Sequence, residues 1–150
     1  MALVHAWGLF EHYLGSLVRR ILLGRPVMLG RTKKIDLGDL LDSPSKEALL
    51  ADVAEDEIRG LIYKTTRDQL RLLRERYGFR HLAEGDDDTI VEMSLLRNCV
   101  VHNCGVADKK LEEHSAGRYR DGAPLEIDTG LVIQSIRVFR AFASRIDEIA

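Results

Sequence analysis

The chain has little cysteine, no excess of basic charge, no long apolar run and no strand signal. Each shortage excludes something. Its two cysteines, Cys99 and Cys104, are five apart, too far for a disulfide on a continuous helix. They read as reduced thiols of a cytoplasmic protein, with Cys99 buried. A formal net charge of −2 argues against a general basic coat for nucleic acid, though not against a local basic face. No apolar run approaches the roughly 18 residues of a membrane span. The apolar start at Met1 lacks both a basic leader and a small-residue cleavage site, so no signal peptide is expected. Strand patterns are too weak to build a sheet, and no internal repeat, low-complexity segment or linker appears.

What is present is helical periodicity. With 150 residues the chain is long enough to bury a core without metal or disulfide staples, and is read as one domain, 1–150. Leu3, Ala6, Phe10, Tyr13, Leu17 and Ile21, widened by Trp7 and Leu14, predict a helix from residue 2 to about 23. His5 and His12 share a face there, but a metal pair needs further ligands and none is placed nearby. Gly8 and Gly15 weaken that helix unless another helix approaches closely. Residues 24–43, with Gly24, Pro26, Gly30 and Gly38, break the pattern, and Asp36 to Leu41 form a short helical turn within the break. Arg25, Arg31, Lys33 and Lys34 make it either a solvated connection or a loop touching RNA phosphates.

Ser43-Pro44 predicts the start of the next helix, with serine as cap and proline at the first helical position. Thr65 or Thr66 caps a further helix, or the helix runs through. On it Arg67, Arg71 and Arg74 lie on one stripe, read either as a wet face or as a phosphate-tracking ridge. Gly78 to Gly85 is a turn region. Asp86, Asp87 and Asp88 invite a magnesium reading, but acidic residues at a helix N-terminus explain themselves, and Asp88 is a natural cap. Val106 to Pro124 reads as a polar loop. Its Lys109, Lys110, Arg118, Tyr119 and Arg120 are either ordinary surface charges or a base-stacking, phosphate-holding group. Asp128 or Thr129 caps the last helix, whose core stripe is Val132, Ile136, Phe139, Ala143 and Ile146.

Between these lies the stretch from Glu92 to Gly105. Met93, Leu96, Val100 and Val101 make an apolar stripe into which Glu92, Arg97, Asn98 and His102 are set. Asn98 and His102, four apart, lie about 40° from each other around an ideal helix, and Arg97 lies about 140° from His102. Only the length of the arginine side chain or a local distortion brings it round. Asn103 and Gly105 tolerate left-handed backbone, so the helix is expected to stop near His102. There the negative end of the dipole favours a protonated imidazole. A permanent cation, an amide and a titratable imidazole at one helix end suit a phosphodiester. The plain alternative is a bundle helix with Arg97 paired to a neighbouring carboxylate.

Arg97-Asn98-Cys99-Val100-Val101-His102-Asn103, with Glu92 before it and Gly105 after, resembles the Arg-x(4–6)-His signature of the HEPN superfamily. Asn98 stands as the polar residue after the arginine. In architecture the resemblance covers nearly the whole chain: an all-α, single-domain helical bundle of four to five helices, with the motif late and one long helix after it. In specific residues it covers only 92–105. The chain is most similar to the stand-alone HEPN proteins of prokaryotic defence and toxin systems. The resemblance implies a metal-independent endoribonuclease acting as a homodimer, with no cofactor, RNA as substrate and an antitoxin or defence-system protein as partner. His102 would move protons as the ribose 2′-hydroxyl attacks the adjacent phosphate. Arg97 would stabilise charge on the phosphate oxygens. Asn98 would orient His102 or hold the RNA, and Glu92 would pair with the guanidinium or act across the dimer. The alternative is a non-catalytic HEPN domain binding RNA, a nucleotide or a partner protein. Such members tend to lose one of the three motif residues, and this chain keeps all three. It departs from toxin members that carry a tyrosine two residues after the histidine: Cys104 stands there, so regulation through such a tyrosine does not carry over.

Overall fold

A computed structural model of the chain describes residues 1–29, 35–80 and 87–147, and its regular elements are all helical. In order they are α1 (Ala2–Gly24), a 3-10 turn (Pro26–Met28), α2 (Leu37–Asp42), α3 (Lys46–Ile62), α4 (Thr66–Glu75), α5 (Asp87–His102), α6 (Lys109–His114) and α7 (Thr129–Asp147). The all-α reading holds. The longer helices are the expected ones, and α2 is the expected turn. Among the described residues no helix is long and apolar enough to cross a membrane.

The chain gathers into two compact units, Met1–Phe10 with Thr66–Ala150, and Glu11–Thr65. In the first, α5 packs against α4, α6 and α7 and is therefore buried on several sides: Ile90, Met93, Leu96 and Cys99 lie inside, but so do Asp87, Glu92 and Ser94. Buried polar groups need partners, and each has one. Asp87 takes Arg74, Glu92 takes Arg118, and Ser94 Oγ accepts from Thr66 Oγ1 at 2.8 Å. The N-terminal turns of α1 add an aromatic cluster: Phe10 stacks on Phe139 with ring centroids 4.5 Å apart, and Trp7 meets Phe139 edge-on at 5.6 Å.

The core stripe of α7 is turned from the expected one. Phe139 and Ile146 are buried as predicted, but Ile136 is exposed, while Ser135 and Phe142 are buried. Ser135 is tolerated inside because its Oγ lies 2.8 Å from the Leu131 carbonyl oxygen and 2.9 Å from Met93 Sδ.

In the second unit, Leu14, Leu17, Val18 and Leu22 of α1 and Leu49, Ala54, Ile58 and Leu61 of α3 form the core. A β-carbon added at Gly15 would lie 3.6 Å from Ile58 Cγ2, whereas Gly8 faces open space. The close helix approach expected of both glycines thus belongs to Gly15. Arg19 pairs with Glu55 across the same two helices.

α3 starts two residues later than Ser43-Pro44 predicts. Ser45, in extended backbone, is the cap: its Oγ accepts from Ala48 N at 3.1 Å, while Ser43 Oγ donates to the Ser45 carbonyl at 2.9 Å. Proline therefore precedes the cap rather than opening the helix. Ser45→Ala is expected to lower stability by about 1 kcal/mol and Ser43→Ala by less, as read from urea unfolding midpoints. Equal losses would remove Ser45 from that role.

Candidate functional site

The C-terminal end of α5 is built by its exit. Cys104 (φ 52°) and Gly105 (φ 77°) both adopt left-handed backbone, and the amides of Asn103 and Gly105 both bond the Cys99 carbonyl, at 3.1 and 3.0 Å. Asn103, which tolerates left-handed backbone, does not adopt it and closes the turn with its side chain, Nδ2 donating to the Val106 carbonyl at 2.7 Å. A non-glycine residue in this backbone region costs about 1 kcal/mol, so Cys104 sits there against preference. The helix stops after His102, as the sequence predicts, and His102 is exposed.

The segment from Val106 to Pro124 is not a plain loop. Asp108 caps α6, its Oδ1 accepting from Leu111 N at 2.9 Å. Val106 and Pro124 form an isolated antiparallel bridge. Around it Ala107 N bonds Ala123 O at 2.8 Å, Gly122 N bonds Ala107 O at 3.0 Å, and Leu125 N bonds Gly105 O at 2.8 Å. The end of α5 is thereby tied to the approach to α7.

Arg97 reaches the candidate face in the way its length allows. Its Nη1 donates to Asn98 Oδ1 at 2.9 Å, so the guanidinium is held beside the residue one turn before His102. Asn98 is expected from the sequence to orient His102 or hold RNA, and its oxygen is instead given to Arg97. Glu92 does not join them. Ten residues before His102, it lies about 15 Å back along the axis, and its buried carboxylate accepts from Arg118 Nη1 at 2.9 Å.

The other cationic candidates are distributed. Arg67 pairs with Asp88 at 2.7 Å, Arg71 with Asp68 at 2.8 Å in the same helix, and Arg74 holds Asp87 with both nitrogens, Nη1 to Oδ2 at 2.7 Å. Two of the three ridge arginines, Arg67 and Arg74, are thus matched by the aspartates read as a cap and a magnesium site, and Arg71 by Asp68 of its own helix. Arg67, donating to Asp88, holds that carboxyl below its ordinary range. Asp86 lies outside the described residues. Among those described, no cluster of three or more His, Cys, Asp or Glu is placed to hold a metal. Lys109 and Lys110 sit exposed in the first turn of α6, Lys109 at 4.0 Å from Glu113. Arg118 lies over the Tyr119 ring, 5.8 Å from its centroid, and burial followed by the charge of Glu92 pushes the Tyr119 hydroxyl up. Arg120 is exposed. Burial likewise raises the Cys99 thiol. The sequence reading does not find the partnership of Asp87 and Asp88 with α4; its signal is a run of acids placed shortly after an arginine stripe.

No family model, curated protein or solved structure matches this chain. The function therefore rests on the residues themselves.

Proposed function

We propose that this chain is a metal-independent endoribonuclease of HEPN type, active as a homodimer, in a toxin or antiviral defence setting. One observation carries the reading. The Arg97–Asn98 hydrogen bond of 2.9 Å holds a permanent cation on the side of α5 where the exposed His102 ends the helix. In the reaction the 2′-oxygen bonds to phosphorus and the bond from phosphorus to the 5′-oxygen breaks. His102 accepts the 2′ proton, the partner's His102 or water protonates the departing 5′-oxygen, and Arg97 stabilises charge on the non-bridging oxygens. The products are a 2′,3′-cyclic phosphate and a 5′-hydroxyl. Asn98 acts as a positioning residue for Arg97, and Glu92 holds the segment carrying Tyr119 and Arg120 through Arg118.

A second reading has its own support. Arg67, Arg71, Arg74 and Arg118 all have carboxylate partners, which lowers the positive potential open to a long RNA. That favours a non-catalytic HEPN domain whose partner is a nucleotide or a protein. Incubation of the purified protein with mixed-sequence single-stranded RNA in excess EDTA separates the two. Cleavage leaving cyclic-phosphate ends supports the enzyme. Intact RNA with a folded dimer favours the binding domain.

A further inference from the structure

The chain has 24 acidic residues, yet α7 carries none from Thr129 to Ile146, where it carries Arg137, Arg140 and Arg145. Arg145 has a place in the fold. It lies in the last turn, where a cation suits the helix dipole, and its Nε donates to the Ala141 carbonyl at 3.2 Å. Arg137 and Arg140 have no such place. They sit mid-helix and exposed, and among the described residues neither meets a carboxylate. Three apart on one face, they repel each other. Nor do their stems cover the apolar residues one turn back, since Ile133 and Ile136 stay 45 and 42 % exposed. The arginines of α4 have similar spacing and the opposite surroundings, each held by an aspartate. The course of this face is set by two contacts. Leu125 N bonds Gly105 O at 2.8 Å and Ser135 Oγ lies 2.9 Å from Met93 Sδ. α7 therefore starts at the His102 end of α5 and runs back along it.

From this we infer that the outer face of α7 is a path for single-stranded RNA, with Arg137 and Arg140 on its phosphates and Ile133 and Ile136 against its unstacked bases. A guanidinium with no carboxylate beside it keeps its full attraction for a phosphodiester. The paired arginines of α4 have spent theirs within the fold. Unpaired bases need a surface to lie on, and exposed isoleucines beside the cations provide an apolar one. A charged stripe one helix wide fits a single strand better than it fits the breadth of an anionic bilayer. The inference rests on the nuclease reading, which puts RNA at the end of α5 where α7 begins.

The test is fluorescence anisotropy of the full chain with a mixed-sequence single-stranded 2′-O-methyl RNA of about twelve nucleotides. This probe lacks the 2′-hydroxyl that cleavage needs. Wild type is expected to bind it, and more weakly as salt rises. Arg137→Gln with Arg140→Gln is expected to weaken binding about tenfold and to flatten the logarithmic salt slope by about 1.4, the value for two phosphates of a single strand. Arg137→Lys with Arg140→Lys keeps most of both, because a point charge still holds a phosphate. Arg20→Gln with Arg25→Gln removes equal charge from exposed arginines of the second unit and leaves binding and slope as in wild type. All four side chains are exposed, so unfolding midpoints stay at the wild-type value. In cleavage of ordinary RNA, the Arg137 and Arg140 glutamine variant raises KM and leaves kcat unchanged. The proposal fails if wild type binds no RNA, if both glutamine pairs weaken binding equally, or if the α7 variant binds like wild type. It fails as well if that variant unfolds early, or if phosphatidylserine vesicles are bound and RNA is not. Binding with the expected pattern but no cleavage of ordinary RNA would sink the nuclease reading and leave the RNA contact standing. Cleavage with unchanged KM in the α7 variant would do the reverse.

Discussion

His102→Ala is expected to slow RNA cleavage in EDTA by about 10²- to 10⁴-fold, the span that a positioned general acid–base contributes. Arg97→Ala is expected to cost about 10²- to 10³-fold, as for loss of one donor to a developing oxyanion. Arg97→Lys should recover little of that loss. The guanidinium bonds Asn98 at 2.9 Å, and its planar fork suits a two-point phosphate contact that an ammonium, a point charge, does not make. Asn98→Ala should fall between wild type and Arg97→Ala, since it removes one bond to the guanidinium and leaves the charge in place. The ends must be cyclic phosphates throughout. Wild-type cleavage by His102→Ala, or cleavage that disappears in EDTA and returns with Mg²⁺, would sink the mechanism.

Asp87→Ala is expected to destabilise the fold by about 3 kcal/mol, the low end for removing one member of a buried ion pair. Arg74 and Asp87 side chains are only 13 and 11 % exposed, so the arginine would be left with its main counter-charge gone in a dry place. Asp68→Ala removes a carboxylate from the exposed Arg71, and its effect should stay below about 1 kcal/mol. Arg74→Met combined with Asp87→Leu should return much of the loss, because the charge that needed a partner goes with the partner. Urea unfolding of the four proteins checks this. Equal losses for Asp87→Ala and Asp68→Ala would mean that the pair is no more than a surface contact.

Legibility in the sequence depends on the range of the interaction involved. The long helices can be read because their apolar spacing is local, and the stop after His102 because Gly105 marks it. α6 is not legible as a helix: its six residues carry little periodicity, and its Asp108 cap sits in a polar run. Ser43 and Ser45 compete as caps because two serines flank one proline, and only the backbone decides which is extended. The pattern alone puts Ile136 inside because it admits a neighbouring stripe, and burial of Ser135 depends on Met93, which is distant in sequence. Of the candidate residues Arg97, Asn98 and His102, the shared face of Asn98 and His102 is legible from their spacing. The place of Glu92 is not, since its partner Arg118 is 26 residues away. The arginine stripe of α4 looks like a free ridge for the same reason: Asp87 and Asp88 are on the next long helix.

The bonds from Gly105 to Leu125 and between Ala107 and the Gly122–Ala123 pair join three neighbourhoods that opening would otherwise treat separately. The end of α5, the whole of α6 and the approach to α7 form one closed ring of backbone. The shared closure couples the three, so their amides are expected to exchange with solvent as one group. His102 stands at the edge of that ring. An exposed side chain at a helix end usually shares the helix's loosest turn; this one is followed within three residues by backbone bonded to the approach to α7.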